Sequence, residues 1–435
     1  MSSSQNRATE AILYIPGITG QSIDDAAFRI ASAFNACSVT AAAEFPVSAG
    51  QDEDYVSIGV ELKTRIRTIQ RTEPGAEPQN IIDVFEFNYV DSLIREHAES
   101  NLAAKSLRLF VQIFVNIPRM ISAFMGRKQK SFKEKAQFIY ATIILAMLVV
   151  YFFVLVAAVY TTIDQVISSR NTTVPQAAVF ATENINVSLV SQGSRSPQQE
   201  GGSRVNASQL LIILIAAIEA FYPGLKKSLS DASARYTSLL EYLSFGARGH
   251  VLEGQLIAIL DHIETKGHEN IHIIAYSFGS ILAIDNIFPA GRMPAERIKG
   301  IRTLATVGCP YDLIRVFWPD YFTERFVVCS VIENWINIYS PIDVLGSNFR
   351  NDSMNAEPEI KDAILSGNDQ HTPLLPRTSL AWATARPMKG LSWPEFFALA
   401  GLQAHNSYWE QNYESEYTAF SLIITEIYKD NKILR

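Results

Sequence analysis

Apolar positions along this chain fall into two alternating patterns. Short, continuous apolar runs read as strands, and longer stretches with a period near 3.6 read as helices. Ala11-Ile12-Leu13-Tyr14-Ile15 is the first such run, and it leads into the glycine turn Pro16-Gly17-Ile18-Thr19-Gly20. Further strands are predicted over 39–45, 81–89, 271–276, 302–307 and 335–339. Helices are predicted over 24–34, 55–70, 232–243 and 252–265. Another runs from 278 to 287 and is stopped by Pro289, and a last one covers 416–428. Alternating strands and helices predict an α/β fold built on a mostly parallel sheet with helices on both faces.

The middle of the chain breaks this rhythm. Residues 138–160 form 23 consecutive positions without a charge. At about 1.5 Å per residue, such a helix spans a bilayer core. Arg127, Lys128, Lys130, Lys133 and Lys135 precede it and assign that end to the cytoplasm. A second, weaker span is expected over about 205–222, with Glu219 inside it and Lys226 and Lys227 after it. Between them, 161–204 is rich in Ser, Thr, Asn, Gln and Gly and is expected to be a non-cytoplasmic loop. Residues 107–124 read as an amphipathic helix, lying on the membrane or packing under the folded domain. The expected organisation is therefore 1–105 and 231–435 as two parts of one domain, with 106–230 as a membrane insertion.

Composition narrows the function classes. Apolar residues make up 48% of the 435 positions and charged residues only 19%, which leans toward membrane association. A net charge of −7 points to no nucleic-acid partner. The polar N-terminus predicts no cleavable signal peptide. Cys37, Cys309 and Cys329 are scattered and suggest neither a metal site nor a disulfide framework. No cofactor is expected.

The chemistry centres on Ala275-Tyr276-Ser277-Phe278-Gly279, where a serine with small residues two positions away on each side joins a strand to a helix. This is the context of a nucleophile elbow. Tyr242-Leu243-Ser244-Phe245-Gly246 is a decoy, because it follows a helical pattern and puts a bulky Tyr242 where a small residue is needed. Taken with Ile15-Pro16-Gly17-Ile18-Thr19-Gly20, Tyr339-Ser340-Pro341-Ile342-Asp343 and His405 in Ala404-His405-Asn406-Ser407-Tyr408-Trp409, the chain resembles the α/β-hydrolase superfamily, esterase- and lipase-like members in particular. The phrases around Ser277 and Asp343 are also similar to intracellular membrane-acting phospholipases. Ala275 and Pro16 depart from the pattern, standing where glycine and histidine are common.

The resemblance implies a catalytic triad. A serine hydroxyl needs a base, and the base needs an orienting acid. Ser277 is then the nucleophile, His405 the base and Asp343 the acid. The backbone N–H groups of Ile18 and Phe278 form the oxyanion hole. Asp312 is the rival acid, one strand earlier, and His371 the rival base. The implied activity is hydrolysis of an ester or thioester, a lipid among the candidates, through an acyl-enzyme, with the catalytic domain on the cytoplasmic side of a membrane. Residues 346–387 are expected to form a lid. A different class of function stands beside it: an inactive hydrolase fold serving as a membrane scaffold or receptor.

Overall fold

A computed structural model describes residues 8–18, 26–38, 43–57, 59–100, 102–126, 225–244, 247–290, 295, 298, 300–318, 320–322, 325, 332–340, 343–349, 378–381, 401–409 and 418–428. It also describes 137–143, 145, 146, 148–150, 152, 153 and 156. One eight-stranded sheet organises them, in the order β2-β3-β4-β1-β5-β6-β7-β8. Its strands are β1 Glu10–Ile15, β2 Gln51–Ser57, β3 Val60–Arg71, β4 Gln79–Glu86, β5 Asn270–Tyr276, β6 Ile301–Val307, β7 Asn334–Tyr339 and β8 Thr378–Ala381. Neighbours from β4 to β8 are parallel, and only β3 runs against the rest. The fold is therefore mixed α/β with a mostly parallel sheet.

The central strands β1 and β5 are buried on both faces, which is why they read as continuous apolar runs. Their side chains alternate between two core layers. Ala11, Leu13, Ile15, Ile273 and Ala275 pack with helices Leu225–Leu243, Ala247–Thr265 and Phe278–Ile287. Ile12, Tyr14, Ile274 and Tyr276 pack with Ala26–Cys37 and Ala419–Tyr428 on the other face.

Two expectations are corrected. Residues 55–70, expected as a helix, lie in the antiparallel β2–β3 hairpin. Val60, Leu62, Thr64 and Ile66 alternate with Glu61, Lys63, Arg65 and Arg67, a period of two. The hairpin pairs Ser57 with Val60 across the intervening Ile58-Gly59, and Gly59 has φ of 75°. That backbone conformation is open to glycine and costly for most residues. The second correction concerns the 346–387 lid. Its residues 378–381 are the edge strand β8, paired parallel to β7, and 350–377 and 382–387 lie outside the described residues.

The middle segment is described in part. Helix Leu102–Gly126 includes the expected amphipathic stretch and keeps Pro118 inside it. It buries Leu109 and Ile113 against Leu148, while Leu107, Phe114 and Met125 on its outer side are 64%, 60% and 77% exposed. Among the described residues, no helix is long and apolar enough to cross a membrane. The described parts of 138–160 are helical, but the rest of that stretch, the 161–204 loop and the expected span at 205–222 lie outside the described residues.

At the opposite end of the central strands from Ser277, Glu10 accepts hydrogen bonds from Asn270 Nδ2 (2.8 Å) and pairs with His272 Nε2 (2.9 Å). Burial pushes the Glu10 carboxyl up, but His272 and Asn270 outweigh it and hold the group below its ordinary value. A carboxyl with a depressed folded-state pKa contributes stability above its unfolded value and loses it as pH falls through the folded one. Urea unfolding of the parent should therefore show lower stability as the pH drops below about 4. Glu10→Gln should be less stable near neutrality and should lose less on acidification.

Candidate active site

Four loops at the carboxyl ends of β1, β5, β6 and β7 converge, which is where open α/β sheets place their ligands. Ser277 sits directly after β5, with φ of 53° and ψ of −126°. A non-glycine residue at positive φ is uncommon and strained, by about 1–3 kcal/mol. Its neighbours hold it there. The Ser277 N–H donates to Val307 O at 2.8 Å, fastening the turn to β6, and Ser280 Oγ donates to Ala275 O at 2.7 Å. Helix Phe278–Ile287 starts at the next residue.

Two glycines let this turn approach β1. A Cβ on Gly279 would lie 2.5 Å from Pro16 O and 2.6 Å from Ile15 O. One on Gly17 would lie 3.0 Å from Ser277 Cβ. The departure at Ala275 falls at a buried strand position and leaves the turn intact. Gly279→Val should force the helix away from β1. The expected loss is about 3 kcal/mol in urea-unfolding stability.

The three residues proposed from the sequence form one chain of hydrogen bonds. His405 Nε2 lies 2.7 Å from Ser277 Oγ, and His405 Nδ1 lies 2.9 Å from Asp343 Oδ2. His405 is on the short helix Gly401–Asn406, and Asp343 follows β7. Asp343 is fully buried and His405 nearly so, while Ser277 is 6% exposed. Burial pushes the Asp343 carboxyl up. The His405 ring, the Tyr408 hydroxyl and the Gly346 N–H outweigh this and hold the carboxyl below its ordinary value. Asp343 Oδ1 also accepts from the Leu345 N–H at 2.8 Å.

Several supporting residues escaped the sequence reading. Tyr408 is fully buried, donates to Asp343 Oδ2 at 2.7 Å and accepts from the Ser340 N–H at 2.7 Å. It therefore ties Asp343 to the end of β7. Tyr276 stacks on the His405 ring, with centroids 5.2 Å apart, and donates to the His405 carbonyl at 2.6 Å. Gly308, at φ of 57°, leaves room for both rings, since a Cβ there would lie 2.8 Å from Tyr408 and 3.1 Å from His405. Gly346 does the same for Asp343, which a Cβ would strike. A tyrosine four residues after the first of the Ala404–Trp409 motif was the available signal for Tyr408. The glycines at 308 and 346 acquire their meaning only from contacts distant in sequence.

The expected oxyanion donors, Phe278 and Ile18, directly follow Ser277 and Gly17, which approach one another at the turn. Phe278 N–H opens a helix whose first amides have no intrahelical partner. Ile18 follows Gly17, and its carbonyl accepts from Arg235 Nη1 at 3.0 Å. The rivals are engaged elsewhere. Asp312 accepts from Ser347 Oγ, Ser244 Oγ donates to Leu240 O at 2.8 Å, and His371 lies outside the described residues. Cys309 is fully buried, and burial pushes its thiol well above the ordinary value. His262, His268 and His272 pair with Glu53, Asp83 and Glu10 respectively.

Such an arrangement can lower the barrier to attack by a hydroxyl, since an imidazole is in contact with it and a carboxyl held below its ordinary value orients the ring. A scan against protein-family models matched none, and searches of curated proteins and of solved structures returned no match.

Proposed function

We propose that this chain is a serine hydrolase of the α/β-hydrolase type, cleaving an ester or thioester through an acyl-enzyme on Ser277. The observation that carries this is the continuous path from Ser277 Oγ through His405 to Asp343, at 2.7 Å and 2.9 Å. The strained serine between β5 and its helix supports it, because strain of this kind persists where the surroundings enforce it. His405 takes the Ser277 proton as the hydroxyl attacks the carbonyl carbon, then delivers it to the leaving group. Water, deprotonated by the same imidazole, releases the acid product. Phe278 and Ile18 N–H groups stabilise the oxyanion. The scaffold reading expects a His405 side chain remote from Ser277, and the 2.7 Å contact counts against it.

The proposal includes work at a membrane, with the catalytic domain on the cytoplasmic side and a lipid ester among its candidate substrates. The charge-free 138–160 run and the apolar outer side of helix Leu102–Gly126 support that reading. Because β1 and β5 pair directly, a chain that leaves the domain's compartment between them must cross the bilayer an even number of times. The test is labelling of isolated membranes with a fluorophosphonate probe. Labelling of the parent that disappears in Ser277→Ala is the expected result, and absence of labelling in folded parent protein would overturn the reading.

Tyr408→Phe probes the support of the triad. The variant keeps the ring and deletes the hydroxyl bond to Asp343. A charge-assisted bond of this kind is worth about 1.5 kcal/mol, so kcat should fall by about tenfold, with KM nearly unchanged.

A further inference from the structure

An apolar slot lies among helices Leu102–Gly126, Leu225–Leu243 and Tyr311–Phe317 and the described residues near 145. Its walls include Asn116, Leu145, Leu148, Leu240, Leu313 and Trp318. Two of these helices also border the candidate active site. Arg235 of Leu225–Leu243 donates to the carbonyl of Ile18. Tyr311–Phe317 begins three residues after Gly308, which faces His405. Ile18, Leu239 and Trp318 pack against the same core cluster that holds Phe278 and Ile314. We propose that this slot receives the alkyl chain of the substrate. The inference deepens the hydrolase reading and rests on it.

The lining argues for an alkyl chain. The walls are almost wholly apolar side chains, which suits methylenes and no charged headgroup. An apolar cavity holds apolar guests better than water. Helix Leu102–Gly126, which forms one wall, carries exposed Phe110, Phe114 and Val115 on its outer side, where an acyl chain would leave a lipid surface.

Filling the slot tests this. Leu313→Trp and, from the opposite wall, Leu145→Phe are compared with the full-length parent on p-nitrophenyl acetate and p-nitrophenyl octanoate. Each buried methylene is worth about fourfold, so losing three should lower kcat/KM for octanoate by about fiftyfold. Acetate turnover should change by less than about twofold. Equal losses on both esters, or no loss on octanoate in either variant, would overturn the slot while leaving the hydrolase reading intact. Binding of radiolabelled decanoic acid is measured by equilibrium dialysis in parallel on Ser277→Ala protein. Binding that Leu313→Trp and Leu145→Phe weaken by at least tenfold supports the slot even if the parent turns over neither ester, an outcome that would sink the hydrolase reading instead. Undiminished binding in both variants overturns the slot.

Discussion

Ser277→Ala is expected to lower kcat by about 10⁶-fold, leave KM nearly unchanged and abolish fluorophosphonate labelling. The size of the effect follows from what remains after the hydroxyl is gone. Ser280 Oγ is committed to the Ala275 carbonyl, and the Cys309 thiol is fully buried with its pKa pushed up. Neither can take over attack, and His405 is left with no proton to accept from the protein at that position. Ser244→Ala is the control and should keep full labelling, because that hydroxyl is bonded back to its own helix. Retained labelling in folded Ser277→Ala protein would overturn the assignment of the nucleophile.

The same position predicts a trade of stability against function. Ser277 holds φ of 53°, a conformation that a Cβ makes unfavourable. Alanine keeps the Cβ and its strain, while glycine removes both. Ser277→Gly should therefore be inactive, yet about 1 kcal/mol more stable than Ser277→Ala in urea unfolding. Equal stability of the two variants would mean that the turn stores no strain.

The readable parts of this fold were those where local pattern and tertiary role coincide. Ile271–Tyr276 is apolar apart from His272 because β5 is buried on both faces, and Ala275 and Gly279 are small because the turn crowds β1. The place of Ser277 at the turn between β5 and its helix was legible for that reason. Asp343 and His405 were legible only through order and motif, since their meeting depends on a contact across 62 residues. The β2–β3 hairpin was misread because Tyr55 and Leu62 satisfy a helical spacing. The alternation from Val60 to Ile66 carried the better signal, and Gly59 marked the turn. β8 has only four residues, too few for a period to declare itself. Tyr408 was hidden by chemistry of another kind: an aromatic residue reads as core, and its ring is indeed buried, while its hydroxyl donates to Asp343.

Asp343→Asn is expected to lower kcat by about 10⁴-fold, with less disruption than Asp343→Ala would cause. The carboxylate now accepts on both oxygens: Oδ1 from the Leu345 N–H, Oδ2 from His405 and Tyr408. An amide offers an acceptor oxygen and an NH₂ group with two donors at this fully buried position. If its NH₂ turns toward His405, it meets Nδ1 and favours the tautomer with the proton on Nε2, the atom 2.7 Å from Ser277 Oγ. That tautomer cannot accept the serine proton. If the NH₂ turns the other way, it faces the Leu345 N–H, donor against donor. In both orientations the negative charge that would stabilise the imidazolium is lost. Tyr408→Phe in the Asp343→Asn background separates the two orientations. With the amide oxygen toward Tyr408, removing the hydroxyl deletes a bond and lowers kcat further. With the NH₂ there, the hydroxyl can act only as an acceptor, and its removal costs little more. A near-parental kcat for Asp343→Asn would remove Asp343 from the triad, and the chain of hydrogen bonds would then stop, in function, at His405.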